Sequence, residues 1–272
     1  MNIPLHWLTE HRLTPDKSCM MHLRASSDVS MEEARRRLEQ RAEERAAFLK
    51  EHSWEDEAGE RRARGEYETE IFEMIVQRLD EANIITRNRY GAQVLNSTEI
   101  CFVDVDEVPQ GLGELLRSLI GMGRSAEVRL QELLRELCRE DERLSARLYR
   151  TAAGFRVVLA GQGIELNSPR TEALFRRLHA DARYAALCRR QQCWRARLTP
   201  KPHRIGCKAP VPQADSESAA AELAAWVPGY EQQSEPYAVC RLVCCMGTAL
   251  HHPVLELHDE MTGARKSDRR LA

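Results

Sequence analysis

The run EICFVDVD, Glu99 to Asp106, limits what this chain can fold into more than any other stretch. Aromatic and β-branched residues crowd it, and such side chains fit a pleated, half-buried ladder better than a helix surface. Asn96-Ser97-Thr98 precede it, three residues that favour turns by bonding to their own backbone. Ala92 to Asn96 then read as a partner strand, so a hairpin is expected here.

A second hairpin is expected from Arg147 to Arg150 and Phe155 to Ala160, around Thr151-Ala152-Ala153-Gly154, with Gly154 supplying the permissive backbone of the turn. Between the hairpins, Gly111, Gly113, Gly121 and Gly123 mark a mobile connection. Val128, Leu130, Leu133, Leu134 and Leu137 then fall at helical spacing over 125–142. Ser30 followed by Glu33 forms a capping-box pattern before the mixed-charge helix 31–50. Phe72, Ile75, Val76 and Leu79 predict another helix over 66–83. Ser168-Pro169 starts a helix to about His179, and a further helix is expected over 183–192. Cys193 to Leu198 follow as a strand ended by Thr199-Pro200-Lys201-Pro202.

The order of elements, with hairpins rather than strict strand–helix alternation, gives an α+β fold: an antiparallel or mixed sheet with helices mainly on one face. The expected organisation is a helical region over 1–83, an α+β core over 84–206 and a linker over 207–217. A C-terminal helix-strand-helix extension over 218–272, packed on the core, completes it. That extension comprises an Ala-rich helix from Ser218 to Trp226, a strand from Tyr237 to Met246 and a helix from Pro253 to Met261, and the last ten residues are expected to fray.

At 272 residues and 43% apolar content the chain can bury a sizeable core, which excludes general disorder. No apolar run reaches the roughly 20 residues of a membrane span. MNIPLHWLTEHRL lacks the basic and apolar regions of a secretory signal, so the expected location is cytoplasmic and no membrane partner is expected. Nine cysteines, an odd number without regular spacing, read as reduced thiols.

Four constellations could carry chemistry. Asp104 and Asp106 lie two residues apart on a strand, hence on one face and about 6 to 7 Å apart, and could share Mg²⁺ or Mn²⁺ with substrate phosphates. As metal ligands they would also be the catalytic pair; as plain acids they would receive arginines. Arg150, Thr151 and Arg156 flank the second hairpin's turn and could hold a phosphate by charge-assisted bonds. The stretch 176–204 holds nine Lys or Arg against one acid in a chain whose net charge is -2. Within it Arg195, Arg197, Lys201 and Arg204 surround Trp194, the mixture of cations and aromatic faces that tracks a nucleic-acid backbone and stacks a base. The fourth, Cys240, Cys244, Cys245, His251, His252 and His258, lacks the tight C-x₂₋₄-C turn of structural zinc sites, so zinc fits poorly.

Asp104-x-Asp106 at a strand end, a helix, then a hairpin with a small-residue turn at Gly154-Phe155-Arg156 together resemble the palm of archaeo-eukaryotic primase-polymerases, over about residues 99–161. The resemblance implies an RRM-like palm and metal-dependent nucleotidyl transfer on nucleotides or nucleic acid. Arg156 stands where that family has a phosphate-binding histidine. RTAAGFR and RARLTPKPHR also resemble an uncharacterised bacterial family, which implies kinship without a function. The leading expectation is a primase-like or nucleotidyltransferase-like protein binding a phosphate-bearing ligand. The alternative is a non-catalytic nucleic-acid-binding or regulatory protein, with the 31–50 helix available to a protein partner.

Overall fold

A computed structural model describes residues 1–17, 20–51, 70–106, 125–211 and 213–272. The fold is α+β with antiparallel principal sheets, as the element order predicts. Strands β1 (His6–Leu13) and β2 (Met20–Ser27) form a hairpin, and helix α1 (Met31–Glu51) packs on it. Met21, Leu23 and Ala25 meet Leu38 and Ala42 of the helix in a small core of their own. Ser30 caps α1 by accepting from Glu33 N at 3.1 Å, but Glu33 does not complete a capping box and turns its carboxylate to Arg36 and Arg37. The region 1–83, expected to be helical, is therefore partly a strand pair.

The segment read as a helix over 66–83 is instead strand β3 (Met74–Arg78), which turns back into β4 (Asn83–Arg87), residues 66–69 lying outside the described part. Two local facts override the helical spacing. A bulge between Ile75 and Gln77 breaks the two-residue alternation, so apolar side chains recur at irregular intervals along an extended strand. Asp80 accepts from Ala82 N and from the Asn83 side chain, closing a turn where the helix would have continued.

The expected hairpin at 92–106 does not form either. Strand β5 (Gln93–Ser97) pairs with β4, whereas β6 (Cys101–Asp106) belongs to another sheet. Both strands are almost wholly buried, so each needs covering on both faces, which a two-stranded hairpin cannot provide. Ser97 Oγ accepts from Glu99 N and Ile100 N and turns the chain from one sheet to the next. The expected mobile connection and its glycines fall within 107–124, outside the described residues.

Helix α2 (Ala126–Glu140), capped by Ser125, buries Leu130, Leu134 and Leu137. It leads to β7 (Ser145–Thr151) and β8 (Gly154–Ala160), the second hairpin as expected. Ser168 caps α3 (Pro169–Arg177), Asp181 caps α4 (Ala182–Gln191), and β9 (Trp194–Arg197) follows. The two four-stranded sheets have the orders β3-β4-β5-β9 and β11-β7-β8-β6, with β11 at Cys240–Gly247. Their edge strands β9 and β6 lie side by side, bridged by the Tyr184 hydroxyl, which shares its one proton between the carbonyls of Phe102 and Arg195 at 2.9 and 3.0 Å.

The linker expected at 207–217 is held rather than loose: Thr9 N donates to Ala214 O at 2.5 Å, and Trp7 N donates to Ser216 Oγ at 3.2 Å. Helix α5 (Ser216–Ser234) continues past Pro228, eight residues beyond the expected end at Trp226. An interior proline costs a helix about 3 kcal/mol. Here Tyr230 anchors the extra turns, stacking on Trp226 and donating its hydroxyl to Pro200 O at 2.5 Å. Gly91 lets the β4–β5 turn sit against that helix, since a Cβ there would lie 2.2 Å from the Trp226 ring at a φ of +92°. Strand β10 (Tyr237–Ala238), helix α6 (Pro253–Thr262) and β12 (Arg270–Leu271) complete the chain. No described helix is long and apolar enough to cross a membrane.

The C-terminus is docked, not frayed: β12 pairs in parallel with β10, Ala272 N donates to Ala238 O at 3.0 Å, and Ala272 is buried. Deleting residues 268–272 is accordingly expected to lower stability by about 1 to 2 kcal/mol, from lost hydrogen bonds and apolar contact. Urea unfolding of the truncated chain at an unchanged midpoint would show the tail to be dispensable.

Candidate functional site

Strand register assembles the site. On β6 and β8, Asp104 stands opposite Arg156, and on β7 and β8 Tyr149 stands opposite Arg156, so all three share one face. Alternation puts Asp106 and Arg147 on that face too. Helix α6 covers it with His258 and Asp259.

Arg156 lies at the centre and is 2% exposed. Its Nε donates to Asp104 Oδ1 at 3.3 Å, and one terminal nitrogen donates to Arg197 O at 3.0 Å and to His258 Nε2 at 3.2 Å. Burial opposes the charge, but Asp104, with smaller contributions from Cys240 and Tyr184, outweighs it, so Arg156 remains a cation. Having a donor at Nε2, His258 must carry its proton on Nδ1, which points to Asp259 Oδ1 at 3.1 Å. Asp259 is also bonded by the Tyr149 hydroxyl at 2.7 Å and by Arg147 and Arg265 at 3.2 and 3.3 Å. The result is a continuous polar chain from the half-exposed Asp104 to the buried Asp259.

Burial, and then repulsion from Arg156, hold His258 down to about 4 from its ordinary 6.5, although Asp259 opposes them. The imidazole is thus neutral in the fold and must stay so to accept from Arg156. This chain is a structural clasp. Neither Arg156 nor His258 is presented to solvent, so Arg156 does not serve as a phosphate-gripping side chain.

The other expected ligand residues divide sharply. Trp194 is 1% exposed and belongs to the main core, so its ring is not offered to a base. Arg195 is paired with Glu73 at 2.6 Å in a largely buried contact, both side chains 12% exposed. Arg150 stands opposite Phe155, one residue from Arg156, and therefore lies on the other face of the hairpin, its guanidinium over the Phe155 ring at 4.6 Å. Two arginines on opposite faces cannot close on one phosphate. Thr151 sits at the hairpin tip in the row Thr151, Gly154, Asp106. Asp104 is committed to Arg156 on one side, with its side chain 41% exposed on the other, and Asp106 is exposed. No group of three or more His, Cys, Asp or Glu able to hold a metal occurs among the described residues.

What does converge is the end of the basic stretch. Arg197, Lys201 and Arg204 are half-buried, and none has a carboxylate within ion-pair distance among the described residues. Burial first, and then Arg156 and Arg204, lower Arg197 to about 10, with Asp104 opposing them. Its buried Nε has no hydrogen-bond partner. Lys201 is lowered by burial and then by Arg197 and Arg204, against the pull of Asp104 and Asp106. The three cations thus crowd one another at the rim where the two aspartates emerge.

The loop carrying them is rigidly set. Thr199 Oγ1 accepts from Gln93 N and is hydrogen-bonded to the Tyr230 hydroxyl, both at 2.8 Å. A short 3₁₀ turn at Pro202–Arg204 then aims Lys201 and Arg204. The two prolines that end the strand in sequence also fix this turn. Asp259 and Tyr149 were not legible as site-forming residues, and His258 was visible only as a member of the Cys/His group near the C-terminus, since the contacts that bring them together span about a hundred residues. Comparison with protein-family models, with curated proteins and with solved structures finds no match.

Replacing Arg156 by Met should cost on the order of 3 kcal/mol, because Asp104, His258 and the Arg197 carbonyl all lose their donor. A variant as stable as the parent would show that the clasp carries no weight. His258 supplies a pH signature. Its folded value is depressed, so its contribution is complete above the unfolded value of 6.5 and is lost as pH falls toward 4, by roughly 3 kcal/mol over that window. Urea titrations should show this loss in the parent and much less of it in His258→Gln; equal pH dependence in both would remove His258 from the account.

Proposed function

We propose that the chain binds a phosphate-bearing small ligand, a nucleotide polyphosphate in the first instance, through Arg197, Lys201 and Arg204. The observation that carries this reading is the concentration of three half-buried cations with no ion-pair partner among the described residues, two of which, Arg197 and Lys201, have their proton affinity lowered by burial and then by neighbouring cations. Leaving such charges together costs stability unless an anion relieves it, and a phosphate supplies several acceptor oxygens at once.

A nucleic-acid strand is the weaker partner. Its extended track would need the exposed cations and aromatic faces of 176–204, yet Trp194 and Arg195 are internal and Arg177 is paired with Glu136 and Glu140. A metal-dependent transfer reaction would have Asp104 and Asp106 recruit Mg²⁺ or Mn²⁺ together with the ligand's own phosphates.

Calorimetric titration with ATP separates these outcomes. Lys201→Ala should weaken binding about tenfold, the value of one charge-assisted hydrogen bond. Affinity should also decline as pH rises toward 10, where Arg197 and the depressed Lys201 shed their protons. Binding that appears only when Mn²⁺ is present would favour the metal-dependent version. Unaltered ATP binding in Lys201→Ala would overturn the site.

A further inference from the structure

A second concavity lies apart from that cluster and shares none of its residues. Helices α3 and α4 and strand β9 line a half-open cavity of about 560 Å³, within the range of small-molecule pockets. Leu166, Phe175, Ala185, Cys188 and Trp194 line it with apolar surface. Burial pushes the Cys188 thiol up to about 12, so this wall is neutral and not nucleophilic.

The rim is charged, and the charges are uneven. Arg176 and Arg189 contribute two guanidiniums against the single carboxylate of Glu172. Neither arginine has an ion-pair partner among the described residues, and the Arg176 side chain makes only a 3.4 Å bond from Nε to Glu172 O. Arg177, the next residue, is by contrast bound to Glu136 and Glu140. The N-terminus of α4 offers no competing anion site, because the Asp181 carboxylate already accepts from Arg183 N at 2.8 Å.

The backbone points to the same place. Four described non-glycine residues adopt positive φ, and two of them, Asn167 at 64° and His179 at 53°, line this cavity. Left-handed backbone at such residues persists where the surroundings over-determine it, and it gathers at ligand clamps.

We propose that this cavity binds a small amphipathic anion, with an aromatic or aliphatic body against the partly exposed Leu166 and Phe175 and a carboxylate, sulfonate or phosphate between Arg176 and Arg189. The reading is independent of the Lys201 cluster.

The probe is 8-anilinonaphthalene-1-sulfonate, titrated into the full chain by fluorescence beside its uncharged parent N-phenyl-1-naphthylamine. One saturable site is expected. Ala185→Trp fills the cavity and should remove binding of both probes. Because Ala185 is buried, the folded state of that variant is checked by circular dichroism. The double variant Arg176→Glu/Arg189→Glu alters exposed positions only; it should weaken the sulfonate probe about tenfold or more and leave the uncharged probe unchanged. Lys201→Ala should affect neither. Sulfonate binding that survives both the charge reversal and a folded Ala185→Trp would overturn the proposal. Equal loss of both probes in the charge-reversed chain, or no change in either, would overturn its anionic part.

Discussion

The buried guanidinium of Arg156 is the interaction on which the rest of the structure depends. It reaches the partly exposed carboxylate on β6, a main-chain carbonyl on β9 and an imidazole on α6, so two sheets and a helix meet at one cation. A charge this deep is tolerable only when its donors are matched, and each match here comes from a different part of the chain. The Tyr184 hydroxyl ties the same pair of strand edges a short distance away. Together these side chains do for β6 and β9 what a ladder of backbone bonds does within a sheet.

That arrangement separates two tasks that look identical in sequence. Arg156, Arg195 and Arg177 hold the molecule together through Asp104, Glu73, Glu136 and Glu140. Arg197, Lys201 and Arg204, from the same basic stretch as Arg177 and Arg195, have no carboxylate partner among the described residues, and that uncompensated charge is what supports the proposed phosphate binding. The pinned Thr199–Pro200 segment matters here because an anion site gains most when its cations are already in place.

Much of the fold was legible because local signals were strong. Ser125, Ser168 and the Leu130, Leu134, Leu137 stripe mark real helices, and the β7–β8 hairpin follows from its turn and its apolar limbs. The failures were decided largely, though not wholly, by contacts distant in sequence. Ile75 and Val76 fit a helix stripe as well as a bulged strand, and only pairing with Ile85 and Thr86 chooses between them. Ala92 to Asp106 satisfies every local criterion for a hairpin, yet each strand finds its partners elsewhere, as far away as Arg197 and Leu159. Within the site, Arg197, Lys201, Arg204 and the two aspartates were visible as residue types in a pattern. That Trp194 would be core and Arg156 a clasp was not, because composition does not distinguish a cation facing a ligand from one facing a carboxylate.

The central claim is that Asp104 belongs to the clasp while the neighbouring cations bind the anion. It is tested most directly by titrating inorganic tripolyphosphate, without divalent metal, into the parent chain and into Asp104→Asn, with urea unfolding of both alongside. The account predicts that Asp104→Asn loses stability, by about 1 kcal/mol since the carboxylate is partly exposed, and binds tripolyphosphate at least as tightly as the parent because a repulsive charge has gone. Loss of binding with unchanged stability would contradict it.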